Sequence, residues 1–412
     1  MPRVVFLVSM DMTAEDLILT DFVEFATGSQ FAASSHAPPR HPPSDLRAVH
    51  WPSPWPWLRE ADSWQELAAV PGRGDGWGMC GDEPVPGAAD RDPSQVEVWR
   101  YRLEPRGALN ARDGGGGVEG VLVRVAGGVG CLQPWPSLGD DPLDVHLAAL
   151  AAGRVTPLAA RALECARTDG QARRGGRWLF AGLAVPPSHA ILPGTPSAGA
   201  IVAAAREGVG VVKVKAGPDW RQRLEAWAGA CALPDVRLRL DFNETLDPGE
   251  AAAMVAAVAR WLGPGVDFIE DPCPFDRDVW ARLESSSGLR LAADRACARP
   301  GADRFLGVLK PAVEDADAVV AAAARSGRKL VVTTNMDHPV GQLWAAWHAA
   351  RAASAGVLAG PCGLLTHTLF AEDEFSRRLS VSGGVLIGPP GTGLGYDDLV
   401  QALPWRRPDP PT

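Results

Sequence analysis

From about residue 188 the chain alternates two apolar patterns. Short runs read "HAILPG", "VVKVKA", "VRLRLDF", "VDFIED", "LRLAAD", "LGVLKP", "KLVVTT" and "GVLAGP". Between them lie Ala-rich stretches such as "AGAIVAAAREG", "PGEAAAMVAAVARWLG" and "GQLWAAWHAARAASA". Apolar runs of roughly four to eight residues bounded by turn residues predict buried strands, and the longer stretches predict helices. Eight strands alternating with helices predict a parallel sheet closed into a β/α barrel. The rival is an open doubly wound sheet. Such a sheet usually has a Gly-rich phosphate turn after its first strand, and "ILPGTPSAG" is no such turn.

The pattern differs upstream. "VEVWRYRLEP" and "VEGVLVRVAGGVGCLQPW" alternate with period two, a hairpin signal. "DPLDVHLAALAAGRVTPLAARALECARTDG" then reads as helices, so an α+β subdomain is expected over 95–187. Residues 1–94 are rich in Pro, Trp, Gly and Asp, a composition that opposes regular structure. A short helix over 13–27 and an otherwise irregular extension are expected there, with the tryptophans as a partner-binding patch in a second reading. "DGGGGVEG" lacks a following helix with Lys-Ser/Thr and is expected to form a mobile loop rather than a phosphate site. "GPPGTGLG" lacks a lysine, which excludes a nucleotide reading.

Composition narrows the class. The 412 residues are 46% hydrophobic and 22% charged, enough for a large core and two domains. The net charge of -9 does not suit nucleic acid, which favours a basic face. The seven cysteines are odd in number and contain no CxxC pair, so reduced thiols are expected instead of a disulfide frame or zinc site. The start, "MPRVVFLVSMDMTAEDL", is a poor signal peptide, and no run approaches the roughly 18 apolar residues of a membrane helix. A cytoplasmic protein acting on a small molecule, without membrane or nucleic-acid partners, is the expectation. The oligomeric state is not readable.

The ends of the strands carry the chemistry. The second ends in Lys213-Val214-Lys215, the third in Asp241 with Asn243 beyond it, and the fourth in Glu270-Asp271. The fifth ends in Asp294 and the sixth in Lys310. The carboxyl ends of the strands form the active-site mouth of such a barrel. Residues two apart share a strand face, so Lys213 and Lys215 can both face inward. One Asp or Lys at a strand end is ordinarily a helix cap or a surface ion pair. Five successive charged ends are hard to explain that way. Asp241, Glu270 and Asp294 make an oxygen-rich set suited to a hard divalent cation, Mg²⁺ above all, and no His or Cys joins them to suggest zinc. His338, His348 and His367 are expected to be structural.

This order resembles the enolase superfamily, and most closely its o-succinylbenzoate synthase branch. The matching strings are "VKVKAG", "LRLDFN", "FIEDPC", "LAAD" and "VLKP". "GVGCLQPWPSLGDD" is similar to the family's capping turn and "GGVLIGPPGTGLGYDDLVQAL" to its C-terminal return to the cap. The resemblance implies an α/β fold: a modified TIM-type (β/α)7β barrel over 188–384, with an α+β capping domain built from 95–187 and 385–412. It implies Mg²⁺, with Mn²⁺ as an alternative, held by Asp241, Glu270 and Asp294. Lys215 would be general base and then acid, Lys213 would lower its pKa and place the substrate carboxylate, and Lys310 would stabilise an enediolate. Asn243, Thr333, Thr334, Asn335, Gly363 and Leu364 would line the substrate site. The implied reaction is dehydration of 2-succinyl-6-hydroxy-2,4-cyclohexadiene-1-carboxylate to 2-succinylbenzoate, on the menaquinone route.

The chain departs from the family pattern in places. Arg295-Ala296 replaces the usual Glu-Ser after Asp294, "TTNMDHPVG" replaces a serine-rich strand end, and "CGLLTHTLF" loses an Asp. These positions bear on substrate identity. Alternatives are therefore N-acylamino-acid racemisation or dipeptide epimerisation, with Lys215 and Lys310 on opposite faces, and a non-catalytic binding or scaffold barrel.

Overall fold

The computed structural model describes residues 96–107, 109, 116–192, 195–207, 209–294 and 301–408. The expectations for residues 1–94, for the centre of the Gly-rich loop at 110–115, and for Arg295 and Ala296 lie outside the described residues.

Period-two alternation produces the first sheet. Strands β1 (Glu97–Leu103), β2 (Val118–Val125) and β3 (Gly128–Leu132) pair antiparallel in that order. Ala126 and Gly127 join β2 to β3 with φ of 53° and 78°. Two left-handed residues match the turn that a right-twisted hairpin needs. Helices α1 (Leu143–Ala151) and α2 (Pro157–Arg174) follow. Thr156 caps α2 by accepting from Ala159 N at 3.3 Å, and Pro157 opens its first turn. α2 lies directly on β3. A Cβ on Gly130 would stand 2.0 Å from the Ala162 carbonyl oxygen, so only glycine allows that approach.

The barrel alternates strand and helix: β4 (Ala190–Leu192), α3 (Ala198–Glu207), β5 (Val211–Lys215), α4 (Trp220–Cys231), β6 (Arg237–Asp241), α5 (Pro248–Trp261), β7 (Val266–Glu270), α6 (Arg277–Ser287), β8 (Leu291–Asp294), β9 (Leu306–Leu309), α7 (Ala316–Ser326), β10 (Leu330–Val332) and α8 (Pro339–Ser354). The seven strands form one parallel sheet in sequence order. Residues 357–363 close it. They bridge β10 through Leu330–Leu358 and Thr333–Gly363, and they reach the other edge through Ser188–Cys362. The eighth expected strand is therefore present as isolated bridges, because the Gly and Pro residues of "GVLAGP" interrupt a continuous ladder.

Alternation along each strand sorts the side chains into layers. Val212, Val214, Leu238, Leu240, Ile269, Leu291 and Ala293 face the helices and join their core. Phe268, Ala292, Leu306, Val308 and Val331 form a small apolar floor inside the barrel. Arg239 lies across that floor, 4.6 Å over the Phe268 ring, bonded to Asp267 Oδ2 at 2.8 Å, His189 Nδ1 at 2.7 Å and Pro361 O at 2.8 Å. A buried guanidinium needs such full pairing to offset its desolvation. The next inward positions, one step toward the carboxyl ends, are the charged residues singled out above.

The chain then returns to the first sheet. After β11 (Ser380–Ser382), β12 (Val385–Ile387) and α9 (Asp397–Ala402), Arg406 exchanges both backbone hydrogen bonds with Val98, at 2.7 and 3.1 Å. Asp169 of α2 accepts from Leu394 N at 2.6 Å. The α/β barrel with a cap built from both ends of the described chain is thus the observed architecture. Among the described residues no helix is long and apolar enough to cross a membrane.

Candidate active site

Register places the charged layer. Lys215 lies opposite Asp241 across the β5–β6 pair, and Asp241 opposite Glu270 across β6–β7. Glu270 lies opposite Ala292, so Asp294 stands two residues higher; Asp294 lies opposite Val308, so Lys310 is again two higher. The strand ends are therefore level from Lys215 to Glu270 and then step up to Asp294 and Lys310. All six charged side chains are buried, from 1% exposed at Asp241 and Glu270 to 9% at Lys215.

They form one ion-pair network. Lys213 Nζ sits between two carboxylates, 2.8 Å from Asp241 Oδ2 and 2.7 Å from Glu270 Oε2. Lys215 Nζ is 2.6 Å from the same Asp241 Oδ2 and 3.4 Å from Asn243 Oδ1. Lys310 Nζ pairs with Asp294 on the far side. The Lys310 backbone N–H donates to Glu314 at 3.1 Å. Lys215 and Lys310 thus flank the carboxylates from opposite ends.

The electrostatics separate the two lysines of the pair. Burial pulls the Lys213 ammonium down, but Asp241, Glu270 and Asp294 together hold it above the ordinary lysine value. Burial also pulls Lys215 down. Asp241 resists, Lys213 adds to the fall, and the net result lies below the ordinary value. Burial raises the Asp241 carboxyl, yet the two ammoniums outweigh it and leave it depressed. Asp294 is likewise depressed, because Lys310 and Lys213 outweigh burial. Glu270 is raised, by burial and by Asp241, against the pull of Lys213.

The donor chemistry suits a divalent cation. It has three buried carboxylates on neighbouring strands, all hard oxygen donors. Asp241 and Glu270 already share one positive charge, the Lys213 ammonium. As placed, each carboxylate is engaged by a lysine, and among the described residues no three His, Cys, Asp or Glu side chains converge closely enough to hold an ion.

The expected substrate-lining residues divide. Asn243 is 8% exposed beside Lys215, in the left-handed region at φ 48°. The Thr333 hydroxyl is buried at the end of the seventh strand without a hydrogen-bond partner among the described residues. Gly363 lies against Thr333 and His189. Thr334 and Asn335 are engaged elsewhere. The Thr334 hydroxyl bonds Thr366 at 2.8 Å, and Asn335 Nδ2 donates to Gln133 O at 3.2 Å. Leu364 is fully buried. Asn335 O accepts from Trp135 Nε1 at 2.7 Å, and Met336 O from Gln133 Nε2 at 2.8 Å, so this loop is the seam between cap and barrel. His338 Nδ1 caps α8 by accepting from Val340 N at 3.2 Å, and His367 Nδ1 lies 2.7 Å from Gln342 Nε2.

Asp337 sits in that seam. It is 1% exposed, and neither carboxylate oxygen has a hydrogen-bond partner of good geometry among the described residues. Burial pushes it up to about 7, against weaker pulls from nearby backbone N–H groups and Lys310. An acid raised in the folded state keeps its proton while the unfolded chain loses it, so stability falls as pH rises from about 4 to about 7. The full gap corresponds to on the order of 4 kcal/mol. Urea unfolding of Asp337→Asn should gain on the parent across that window and run parallel to it above. A pH-independent difference would contradict a raised Asp337.

Residues 96–172 match the family described as "O-succinylbenzoate synthase, N-terminal domain", and residues 198–308 match "Enolase C-terminal domain-like". An o-succinylbenzoate synthase from Bdellovibrio bacteriovorus is 31% identical over 327 residues, covering 76% of this chain and 98% of that protein. Among solved structures, a dipeptide epimerase from Cytophaga hutchinsonii in complex with Mg and D-Ala-L-Val superposes with a TM-score of 0.61 at 16% identity, covering 76% of this chain and 99% of that one. The L-Ala-D/L-Glu epimerase from Bacillus subtilis gives 0.58 at 19% identity, covering 73% and 97%. At these identities the structures show the shared fold.

Proposed function

Because the chain belongs to the o-succinylbenzoate synthase branch of the enolase superfamily, and so is a lyase, we propose that it dehydrates 2-succinyl-6-hydroxy-2,4-cyclohexadiene-1-carboxylate to 2-succinylbenzoate, with Mg²⁺ as cofactor, in menaquinone synthesis. The observation that carries this reading is the pair of lysines on opposite sides of three buried carboxylates, at the carboxyl ends of successive strands.

Asp241, Glu270 and Asp294 are the residues that would hold the cation. When bound, it supplies Lewis acidity that stabilises negative charge on the substrate carboxylate as the α-proton leaves. Lys215 removes that proton. Its lowered pKa, set by burial and by the neighbouring Lys213 charge, moves it toward the neutral form a base requires. The C–H electron pair enters the ring and the β C–O bond breaks. Lys215, now an ammonium, returns the proton to the departing hydroxide, so water leaves and the lysine is neutral again. Lys310 faces the substrate from the other wall and offsets the developing negative charge. Lys213, held charged by its carboxylates, fixes Asp241 and Glu270 and keeps a cation beside Lys215.

The two flanking lysines also favour a second reading, exchange of an α-proton between two faces of an N-acyl amino acid. Incubation with N-succinyl amino acids in D₂O separates the two. The dehydratase reading expects α-deuteration far slower than dehydration of the cyclohexadiene. Fast exchange without dehydration would replace it with the racemase.

A further inference from the structure

We propose that Asp271 is a positioning residue that spaces the three carboxylates by tying together the ends of β6, β7 and β8. This rests on the metal reading above. Asp271 follows Glu270 directly and is 4% exposed. Its backbone is left-handed, φ 44°, a conformation uncommon for side-chain-bearing residues and best tolerated by Asp and Asn. Its polar groups reach the strand ends on either side, two of them β8 and one the turn after β6. Its N–H donates to Ala292 O on β8 at 3.1 Å. Its carboxylate Oδ1 accepts from the backbone N–H of Asp294 at 3.1 Å. Its carbonyl accepts from Glu244 N at 2.8 Å, in the turn that follows Asp241.

That turn is itself unusual. Asn243 and Glu244 both have positive φ, 48° and 58°, and Asn243 N donates to Asp241 Oδ1 at 3.1 Å. The β6 end, with Asp241, and the β8 end, with Asp294, are therefore both fastened to one residue beside Glu270. In extended backbone the side chain at 271 would point to the face opposite Glu270. The left-handed turn instead points backbone and side chain at the two neighbouring ends. The effect is to fix where Asp241 and Asp294 stand relative to Glu270, which a cation shared by all three demands. Residues that orient ligands in this way commonly change metal affinity by about 10- to 100-fold when removed.

Two substitutions separate positioning from backbone strain. Asp271→Gly accepts the left-handed conformation and lacks the carboxylate. Asp271→Asn accepts it and keeps an acceptor for Asp294 N–H. Mn²⁺ is the probe, with free Mn²⁺ read by electron paramagnetic resonance, folding by circular dichroism, and kcat and KM measured separately. The Gly variant is expected to bind Mn²⁺ about 10- to 100-fold more weakly and to lose kcat more than KM, while the Asn variant stays within about threefold of the parent. If the Gly variant does not hold its fold, Asp271→Glu, whose carboxylate lies one methylene too far out, carries the same expectation. A folded Gly or Glu variant with parental Mn²⁺ affinity overturns the positioning role. A parent protein that binds no Mn²⁺ overturns the metal reading, and the positioning role with it.

Discussion

Lys215→Ala should leave the barrel folded and reduce kcat on the order of 10⁴-fold, since in the proposed mechanism one side chain serves first as base and then as acid. The fold should survive because Asp241, the partner Lys215 leaves behind, still has Lys213 at 2.8 Å. No buried carboxylate is orphaned, which is the usual cause of collapse when half an ion pair is deleted. Lys215→Arg is expected to be equally inactive. It keeps the charge but cannot become neutral, as its guanidinium stays protonated at any working pH. Lys213→Ala should behave differently, losing stability as well as activity, because Glu270 and Asp241 both lose an ammonium. Steady-state kinetics with circular dichroism on the three variants checks this. Turnover near the parental rate in either Lys215 variant would remove Lys215 from the chemistry.

Asp241→Asn should be the most costly of the carboxylate changes, at about 10³-fold or more in kcat/KM, the equivalent of several kcal/mol of charge stabilisation. The geometry explains the ranking. Asp241 Oδ2 is shared by Lys213 and Lys215, so its loss removes a proposed cation ligand, strips Lys215 of its carboxylate and leaves Lys213 with Glu270 alone. Asp294→Asn releases Lys310 and leaves the Lys213–Lys215 pair in place. Titration calorimetry with Mg²⁺ should show weakened binding in both variants. Dialysis of the parent against a chelator should abolish turnover, and added Mg²⁺ should restore it. Undiminished activity in chelator, or unchanged Mg²⁺ affinity in Asp241→Asn, would contradict the assignment of the carboxylates.

The barrel was legible because its strands are buried on one side by helices and on the other by their own neighbours. Such strands read as dense apolar runs, and only their last inward positions break the pattern. That break is what exposed Lys213, Lys215, Asp241, Glu270, Asp294 and Lys310 as a set. The eighth strand was legible as a run but not as a ladder, since its Gly and Pro residues leave only bridges at Ser188–Cys362 and Thr333–Gly363. The C-terminal return to Val98 joins residues about 300 positions apart, and it was visible only through family likeness.

Other features depend on contacts that no local pattern encodes. Which ammonium meets which carboxylate follows from strand stagger, so Lys213 bridging Asp241 and Glu270 could not be read from the spacing. Thr334 and Asn335 were implied as substrate donors by the family resemblance of their strand end. Their partners, Thr366 and Gln133, lie 32 and 202 residues away. Asp271 was hidden by its neighbour: two acids in a row read as one charged strand end, and positive φ leaves no mark in a sequence that has Asp there. Asp337 looked like another polar loop residue, and its burial under the cap became visible only with Cys131 and Gly341 placed around it.

In the proposed reaction this site dehydrates a cyclohexadiene carboxylate by removing its α-proton. Purified protein with Mg²⁺ should convert 2-succinyl-6-hydroxy-2,4-cyclohexadiene-1-carboxylate to 2-succinylbenzoate, followed by ultraviolet absorbance and identified by mass. Substrate deuterated at the α-carbon should react several-fold more slowly. Formation of 2-succinylbenzoate with that isotope effect is the predicted result. No product over hours with Mg²⁺ present would overturn the proposed activity.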